Sequence, residues 1–343
     1  MLLAGDIGGT KTVLALFAVQ DDQPSEIDRR PVLERTYPSA QYKSLETIVE
    51  TFLAESNQQV LAASFGVAGP VVGTRAQVTN LPWVIDAEII QEQFHFSVHL
   101  LNDLQAVAAA VPHLKDADLF TLNVGEPVAG AAMAVIAPGT GLGEAFLVWD
   151  GRQYLASPSE GGHRAFGPMT AEQLEMLNYW LPRMGHVSYE RVCSGIGIPN
   201  IYTFLRETGR YPQPEWLRDE LSGAADQTPI IARAAVANEA PIAVATLEMF
   251  MEILGNEAAN LVLTVLATGG VYLGGGIPPR ILPQLQKGPF MKYFCEKGRF
   301  SVLMKKIPVH VIANAKTGLY GTAYSALQSA AIDDVLTETD AND

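Results

Sequence analysis

A glycine-rich bend between two apolar segments, GDIGGTK at residues 5–11, constrains this chain more than any other feature. Met1 to Ala4 are apolar ahead of the bend, and Thr12 to Val19 (TVLALFAV) continue it as a strand-like segment. Two such segments joined by Gly8-Gly9-Thr10 predict a β-hairpin. Because glycine lacks Cβ and tolerates positive φ, the backbone N–H groups of the bend can approach an anion closely. The bend therefore predicts a phosphate site, with Asp6 facing magnesium.

The bend differs from two familiar nucleotide-binding motifs. A Walker loop has the pattern GxxxxGK[ST] ahead of a helix, and the dinucleotide turn GxGxxG also opens a helix, whereas the segment after Lys11 is predicted to be a strand. Glycine turns between strands are also common for purely structural reasons. The heptapeptide by itself leaves that structural alternative open.

Composition limits the class of protein. A length of 343 residues indicates about two domains. Hydrophobic residues make up 48% and charged residues 17% of the chain, which indicates globular rather than disordered domains. The 37 acidic and 23 basic residues leave a net charge of −14, so neither nucleic acid nor an anionic membrane is an expected partner. The two cysteines, Cys193 and Cys295, are too few for a disulfide framework and indicate a reducing cytoplasm.

Strands and helices alternate along the first third of the chain, which predicts an α/β fold. A strand at 98–101 is followed by Asn102-Asp103 and then by a helix through 105–111, which Pro112 closes. Ligands bind at such strand ends, so Asp103 is a candidate base beside a substrate-fixing Asn102. An Asn-Asp pair at a helix start is equally an ordinary cap, and that alternative stays open.

Two further glycine clusters follow. Gly139-Thr140-Gly141 separates the apolar segment 133–137 from the segment 143–149, which echoes the first hairpin and indicates a weak internal duplication with a cleft between two lobes. Two such bends can hold the end of a triphosphate from opposite sides. Gly274-Gly275-Gly276 ends a later apolar segment and can admit a flat adenine against its backbone.

The segment Ser159-Glu160-Gly161-Gly162-His163 carries a carboxylate and an imidazole around two glycines. These groups accept and donate hydrogen bonds, as the neighbouring hydroxyls of one small ring require. Glu190, ahead of a further glycine-rich stretch, is a candidate to complete the ring of hydroxyl contacts. Metal binding by Glu160 and His163 is a rival use, but the sequence offers no evident third ligand.

Six segments taken together resemble bacterial glucokinases, in order and over nearly the whole chain: GDIGGTK, LNDLQAVAAAVPHL, APGTGLGEA, SEGGHRAFGP, ERVCSGIG and GGVYLGGGIPPR. The resemblance implies the two-lobed actin-like ATPase (ribonuclease H-like) fold with the active site in the interlobe cleft. It also implies ATP and Mg²⁺ as cofactors, glucose as substrate, and a homodimer. The expected division is a small α/β lobe at 1–113 plus 304–343 and a large α/β lobe at 114–303.

The resemblance also assigns roles by position. It matches Asp103 to the catalytic base and Asn102, Asp103, Glu160, His163 and Glu190 to the glucose contacts. Asp6 is matched to an indirect magnesium contact, and Lys11 stays a candidate phosphate contact. The cofactor-binding residues implied are Gly5, Asp6, Ile7, Gly8, Gly9, Thr10, Gly139, Thr140, Gly141, Gly274, Gly275 and Gly276.

The predicted reaction is phosphorylation of the 6-hydroxyl of glucose by ATP, with Asp103 accepting the hydroxyl proton. Two alternatives remain at this point: a kinase of another hexose or acceptor, and a regulator of the same fold that binds sugar or ATP without transferring phosphate. A regulator has no need of a base, so Asp103 favours the enzyme. ATP and polyphosphate are both compatible donors.

Overall fold

The computed structural model describes residues 1–20 and 22–340, and of Pro24 and residues 331–340 only the backbone. Its strands are β1 (Leu2–Ile7), β2 (Lys11–Phe17), β3 (Val19–Gln20), β4 (Gln23–Ile27), β5 (Leu33–Pro38), β6 (Ala62–Val67), β7 (Val71–Val72), β8 (Arg75–Gln77), β9 (Val84–Asp86), β10 (Ser97–Asn102), β11 (Leu119–Asn123), β12 (Met133–Pro138), β13 (Leu142–Trp149), β14 (Tyr154–Ser159), β15 (Gly270–Leu273) and β16 (Val309–Ile312). Its helices are α1 (Leu45–Ser56), α2 (Ala87–Phe94), α3 (Asp103–Ala110), α4 (Ala171–Met184), α5 (Gly197–Glu207), α6 (Glu215–Ser222), α7 (Thr228–Val236), α8 (Pro241–Val265), α9 (Leu282–Lys287), α10 (Phe290–Cys295), α11 (Ser301–Met304) and α12 (Thr317–Asp340).

The chain divides into two compact units. The first comprises Met1–Leu114, Tyr154–Pro158 and the chain from Asn314 on, and the second comprises Lys115–Gln153 and Ser159–Ala313. This division differs from the expected lobes at residues 154–158, which the first unit contains, and at residues 304–313, which the second unit contains. The reason for the second difference is strand β16, which pairs in parallel with β15 and antiparallel with β11.

The predicted N-terminal hairpin is confirmed in the first unit. Strands β1 and β2 pair antiparallel from Leu2 opposite Phe17 to Ile7 opposite Thr12. The sheet has the strand order β10-β6-β1-β2-β5, in which β1, β6 and β10 run parallel. Both faces are covered by apolar side chains, which explains why β6 is buried throughout and has no polar alternation.

Two small antiparallel ladders were not predicted: β3 with β4, and β7 with β8 and β9. Their strands are two to five residues long, and most of their described side chains are partly or fully exposed. A strand that short and exposed produces no apolar period from which to predict it.

Helix α12 packs very closely on α3 in the first unit. Gly321 of α12 lies against the carbonyl oxygen of Ala106, and a Cβ built on Gly321 would overlap that oxygen. Gly318, one turn earlier, has only Val107 Cγ2 in ordinary contact, at 3.8 Å from such a Cβ. The tight contact fixes the position of α3, the helix that begins at Asp103.

The second unit is built around α8. This helix starts at Pro241, a residue suited to the first helical position, and ends at Leu266 in the left-handed conformation. It is buried on nearly all sides within the larger core, which includes α5, α7, α10 and the central strands. The sheet of this unit runs in the order β11-β16-β15-β12-β13.

In the part of the chain that the structure describes, no single helix is long and apolar enough to cross a membrane. Helices α7 and α8 have sufficient apolar length only as a pair, and that pair is bent by 102°.

Replacing Gly321 by alanine tests the close packing of α3 and α12. We expect the free energy of unfolding to fall by about 2 kcal/mol, because the new methyl group meets a backbone oxygen that cannot move alone. Chemical denaturation measures the change. Gly318→Ala is the matched control and is expected to be neutral or stabilising by up to about 1 kcal/mol, because alanine has the higher helix propensity and its Cβ meets nothing closer than 3.8 Å. Equal effects of the two substitutions would contradict the packing argument.

Candidate active site

The hydroxyl groups of Ser39 and Thr12 hold the backbone of the first glycine turn in place. Gly8 N donates to Lys11 O (3.0 Å) and closes the bend, while Ser39 Oγ donates to Gly8 O (2.8 Å). The buried hydroxyl of Thr12 lies 3.0 Å from Ser39 Oγ. Ser39 was not predicted as part of the site. Its only sequence signal is its position after the strand that pairs with β2.

Glycine is required in this turn because neighbouring backbone lies close to it, and not because the backbone has positive φ. Neither Gly8 nor Gly9 has positive φ, which corrects that part of the prediction. A Cβ on Gly9 would lie 2.7 Å from Thr79 O, so the turn has no room for a side chain on that side. Gly5 and Ile7 are buried. Any ligand contact by these two residues therefore runs through the backbone.

Two carboxylates come together at the end of the first sheet. The pKa of Asp6 is raised, chiefly by partial removal from water and secondly by the negative charge of Asp103, while the charge of Lys11 opposes the shift. The structure thus brings Asp6, Asp103 and Lys11 into one electrostatic cluster. Like charges held together in this way attract a cation.

Asn102 and Asp103 form the start of α3. Asn102 Oδ1 caps the helix by accepting from Gln105 N (2.5 Å), and Asp103 Oδ1 accepts from Leu104 N (2.8 Å). Asn102 and Asp103 therefore do cap the start of α3, as the alternative interpretation of the sequence predicted. This capping leaves Nδ2 of Asn102 as the atom that can donate to a ligand, and the carboxylate of Asp103 is exposed.

The second glycine turn is confirmed as the bend of an antiparallel hairpin, β12 with β13. Gly139 N donates to Gly141 O (2.9 Å), and Gly195 N donates to Gly139 O (2.8 Å). A Cβ on Gly139 would have no neighbour within 4 Å. One side of this turn is therefore open.

The third glycine cluster packs directly on the second turn. Gly275 has φ +79°, and a Cβ on it would overlap Pro138 O, so both torsion and space require glycine. Gly274 is buried and donates from its N–H to Ile136 O (2.9 Å), while Gly276 is exposed. The second and third glycine clusters thus lie together within one unit, a contact that the sequence did not predict.

These two clusters form one wall of a cavity of about 930 Å³. The other wall was not predicted: it comes from helix α7 and the residues before it, including Asp226, Thr228 and Arg233. Thr228 Oγ1 donates to Gly195 O (2.5 Å), which ties this helix start to the glycine turns. In sequence, helix α7 lies between the two glycine clusters and adjoins neither, so only the tertiary fold brings the walls together. The cavity has the size of a nucleotide-binding cleft.

Glu160 and His163 stand exposed on one short loop of the second unit. The carboxylate of Glu160 and Nε2 of His163 are 3.7 Å apart, and their side chains are 82% and 62% exposed. The backbone beneath is fixed, because His163 N donates to Glu160 O (3.0 Å). Within the described residues, no group of three or more His, Cys, Asp or Glu side chains is arranged to hold a metal ion. The pair is thus available for hydrogen bonding.

Glu190 connects this loop to the second glycine turn. Its backbone N–H donates to Gly162 O (2.9 Å), and its carboxylate Oε2 accepts from Leu142 N (3.1 Å). The carboxylate also lies where a side chain on Gly141 would be. Glu190 therefore has a structural role that sequence did not predict, besides the predicted role toward a sugar.

This combination of glycine turns, strand-end carboxylates and an exposed Glu–His loop is that of a sugar kinase of the actin-like ATPase fold. Comparison with known proteins agrees. A profile of the glucokinase family, described as "Glucokinase", matches residues 3–329. The glucokinase of Trichormus variabilis is 39% identical over 341 residues, which covers 95% of this chain and 98% of that protein.

Solved structures give the same result. The crystal structure of glucokinase from an Antarctic psychrotroph superposes with a TM-score of 0.84 at 29% identity, covering 95% of this chain and 98% of that one. A glucokinase of the ROK family from Streptomyces griseus, solved with glucose and AMPPNP, superposes with a TM-score of 0.60 at 20% identity. The match covers 95% of this chain and 99% of that one, and at this identity it shows a shared fold. The chain belongs to the glucokinase family. The predicted family and activity, an enzyme that phosphorylates glucose, are confirmed.

Replacing Ser39 by alanine tests the support beneath the first turn. The change removes the hydrogen bond to Gly8 O and leaves the buried Thr12 hydroxyl without this partner, at a cost of about 1 to 3 kcal/mol. We expect kcat/KM for glucose phosphorylation to fall about tenfold, since a turn displaced by a fraction of an ångström misplaces the groups it carries. A coupled assay measures this, with Ser44→Ala as the control because Ser44 Oγ has only a 3.4 Å contact with Thr47 Oγ1. Unchanged kcat/KM in the Ser39 variant would contradict the role.

Proposed function

We propose that this chain transfers the γ-phosphoryl group of ATP to the 6-hydroxyl of glucose, with Asp103 as the general base. The observation that carries this assignment is the placement of the exposed Asp103 carboxylate at a strand end, within electrostatic reach of Asp6 beside the first glycine turn. A base must be able to reach both the attacking hydroxyl and the phosphoryl group. Asp103 has such a position, because it lies at a strand end next to the first glycine turn.

The chemistry proposed for Asp103 follows from its surroundings. Its Oδ1 is held by the N–H of Leu104 at the start of α3, where the helix dipole favours a negative charge. The carboxylate accepts the proton of the 6-hydroxyl as that oxygen attacks the γ-phosphorus in line, and ADP leaves. Most of the acceleration comes from positioning and from charge stabilisation, because the transition state spreads negative charge over the phosphoryl oxygens.

Glucose is proposed to contact Asn102, Glu160, His163 and Glu190. The support is chemical: Nδ2 of Asn102 can donate, the exposed Glu160 can accept, and the imidazole of His163 can do either. Together these groups can bind several neighbouring hydroxyls. A sugar that lacks or inverts one hydroxyl would leave a protein group unpaired, which favours glucose over its epimers.

ATP is proposed to bind along the glycine turns. Gly8, Gly9 and Thr10 with Gly139, Thr140 and Gly141 offer backbone N–H groups to the phosphates, and the cavity beside Gly276 takes the adenosine. The S. griseus kinase was solved with AMPPNP, which supports a nucleotide in this fold. Lys11 is a further candidate for a phosphate contact, because it is exposed at the start of β2.

The residues present fit a magnesium ion. Asp6 and Asp103 provide hard oxygen donors. Desolvation and, secondly, the charge of Asp103 raise the pKa of Asp6, and a divalent cation would relieve the repulsion between the two carboxylates. With so few carboxylates, water and ATP oxygens would complete the coordination, so Asp6 acts directly or through water. When bound, the ion neutralises charge that develops on the phosphate oxygens.

We further propose that the enzyme is a cytoplasmic homodimer. Support for the compartment comes from the two free cysteines, of which Cys193 is fully buried. The dimer follows from the family resemblance. The functional lobes are proposed to correspond to the two units, with Asn102 and Asp103 contributed by the first and Glu160, His163 and Glu190 by the second.

Asp103→Asn is the direct test of the base. The amide keeps the shape but cannot accept the proton, so we expect kcat to fall by about 10² to 10⁴. Glucose affinity, measured by calorimetry, should change little. Asp116→Asn, at another helix start, is the control and should retain wild-type kcat. Near-normal turnover by the Asp103 variant would refute the assigned role.

Gly276→Leu tests the nucleotide cavity. Gly276 lines the cavity, and a Cβ there has no neighbour within 4 Å, so a leucine side chain fills space without clashing with the protein. We expect the KM for ATP to rise at least about tenfold, equivalent to 1.4 kcal/mol of lost binding, with an unchanged melting temperature. Gly223→Leu is the matched control, because Gly223 also has open space but does not line the cavity. An unchanged KM for ATP in the Gly276 variant would remove the cavity from the proposal.

A further inference from the structure

A cluster of two buried carboxylates and one partly exposed arginine lies against the loop that carries Glu160 and His163. Glu144 of β13 and Glu257 of α8 have fully buried side chains, and both accept from Nη2 of Arg164, at 3.1 and 2.5 Å. Nε of the same guanidinium donates to Gly161 O (3.1 Å). One side chain thus ties the loop to a strand and to the central helix.

The loop backbone rests on this cluster with no space between. A Cβ on Gly161 would overlap the carboxylate of Glu144, and a Cβ on Gly162 would overlap the carbonyl of Leu142. The two glycines of the loop are therefore explained by what lies under them. Contact with the carboxylate of Glu144 therefore fixes how closely the loop backbone at Gly161 packs against strand β13.

Burying two carboxylates with one arginine is costly, and an apolar core of the same volume is often as stable or more so. Such a cluster is poorly explained by stability alone. Its directional hydrogen bonds, however, can fix the backbone of a short glycine loop in one position, which an apolar core cannot do. The cluster continues on its far side, where Glu257 accepts from Asn260 (3.0 Å) and Lys297 donates to Asn260 (2.7 Å).

We propose that Glu144, Arg164 and Glu257 are positioning residues that hold Gly161 and Gly162 so that Glu160 and His163 meet the sugar. None of the three touches a reacting atom. This inference rests on the proposed sugar-binding role of the loop. Its consequence is selective: loss of the cluster weakens glucose binding and leaves ATP binding in place.

The protonation state of Glu144 gives the proposal a second, independent readout. Burial and the neighbouring carboxylate of Glu257 raise the pKa of Glu144 to about 8, while Arg164 opposes the shift. Among the described residues, Oε1 of Glu144 has no hydrogen-bond partner. A proton on that oxygen lets Glu144 donate a hydrogen bond to Glu257. At neutral pH the pair then carries one negative charge, which Arg164 neutralises.

The sign of the pH dependence follows. Below the raised pKa the two carboxyl groups together carry one negative charge, which Arg164 balances. Above it they carry two and repel each other next to the loop, so glucose binding weakens as pH rises through about 8. The other groups facing the pair are Tyr189 and Cys193, whose pKa values are raised by burial, and Lys297, whose pKa is lowered by desolvation. Arg164, Tyr189, Glu257 and Asn260 line a cavity of about 450 Å³, through which solvent protons can reach the cluster.

The experiment compares wild type with Arg164→Gln, Glu144→Gln and the control Arg152→Gln, an exposed arginine in the β13–β14 connection. Steady-state KM values for glucose and ATP are measured from pH 6.5 to about 9.5. We expect Arg164→Gln to raise the KM for glucose about tenfold or more at pH 7, with the KM for ATP changed less than about twofold. The control should match wild type.

Glu144→Gln is the decisive variant, because the neutral amide imitates the protonated acid. At pH 7 its KM for glucose should lie within about twofold of wild type, and the rise seen in wild type above pH 8 should disappear, although Lys297 and Tyr189 are still present. If Glu144→Gln keeps the alkaline rise, or if Arg164→Gln changes melting temperature without changing the KM for glucose, the cluster is only structural and the proposal fails. Should Arg164→Gln not fold, the pH profile of Glu144→Gln decides alone.

The outcomes separate this inference from the proposed function. Failure of wild type to phosphorylate glucose, or of Glu160→Gln to affect glucose binding, would overturn the sugar-binding role of the loop itself. A glucose effect of Glu160→Gln together with wild-type behaviour of the Arg164 and Glu144 variants would overturn only the positioning role.

Discussion

The parallel register of three strands is the constraint on which the first unit depends. Gly66 of β6 pairs with Asp6 on one side and with Leu101 on the other, so that Ile7, Val67 and Asn102 lie side by side at the same edge. Parallel strands place all their carboxyl ends together, and the loops that leave that edge carry the chemistry. Two carboxylates far apart in sequence, those of Asp6 and Asp103, become electrostatic neighbours for this reason alone.

Close approach of backbone is the second recurring device, and it explains where glycine occurs. At Gly321 the absent side chain lets α12 settle on α3, which fixes the helix that begins at Asp103. At Gly161 and Gly162 it lets the loop of Glu160 and His163 rest on Glu144 and Leu142. In each case a nearby backbone or carboxylate atom occupies the volume of a methyl group. The glycines near the site thus position structure as much as they expose amides to a ligand.

Local sequence was sufficient for those parts of the site that chain neighbours build. The two hairpin turns and the Asn102-Asp103 strand end were predicted because apolar segments and glycines stand next to each other in sequence. Ser39, Glu144 and the α7 wall were not predicted, because each reaches the site only through sheet register or helix packing. Glu144 did leave a trace: a carboxylate in a strand where its neighbours Leu142 and Ala145 are buried. An ionisable group at such a position signals a partner, but sequence does not identify which one.

The loop proposed to bind sugar is held by charged side chains, whereas the turns proposed to bind phosphate are held by backbone. The amides of the second glycine turn are fixed by main-chain hydrogen bonds, such as Gly139 N to Gly141 O, so little there depends on protonation. The loop of Glu160 and His163 instead sits above Glu144, Arg164 and Glu257, whose net charge changes with one proton. Discrimination among hexoses needs hydroxyl partners placed to a fraction of an ångström, since misplaced donors lose most of their binding energy. A hydrogen-bonded ionic support meets that need better than apolar packing, and under the proposed positioning role it makes sugar binding the pH-sensitive step.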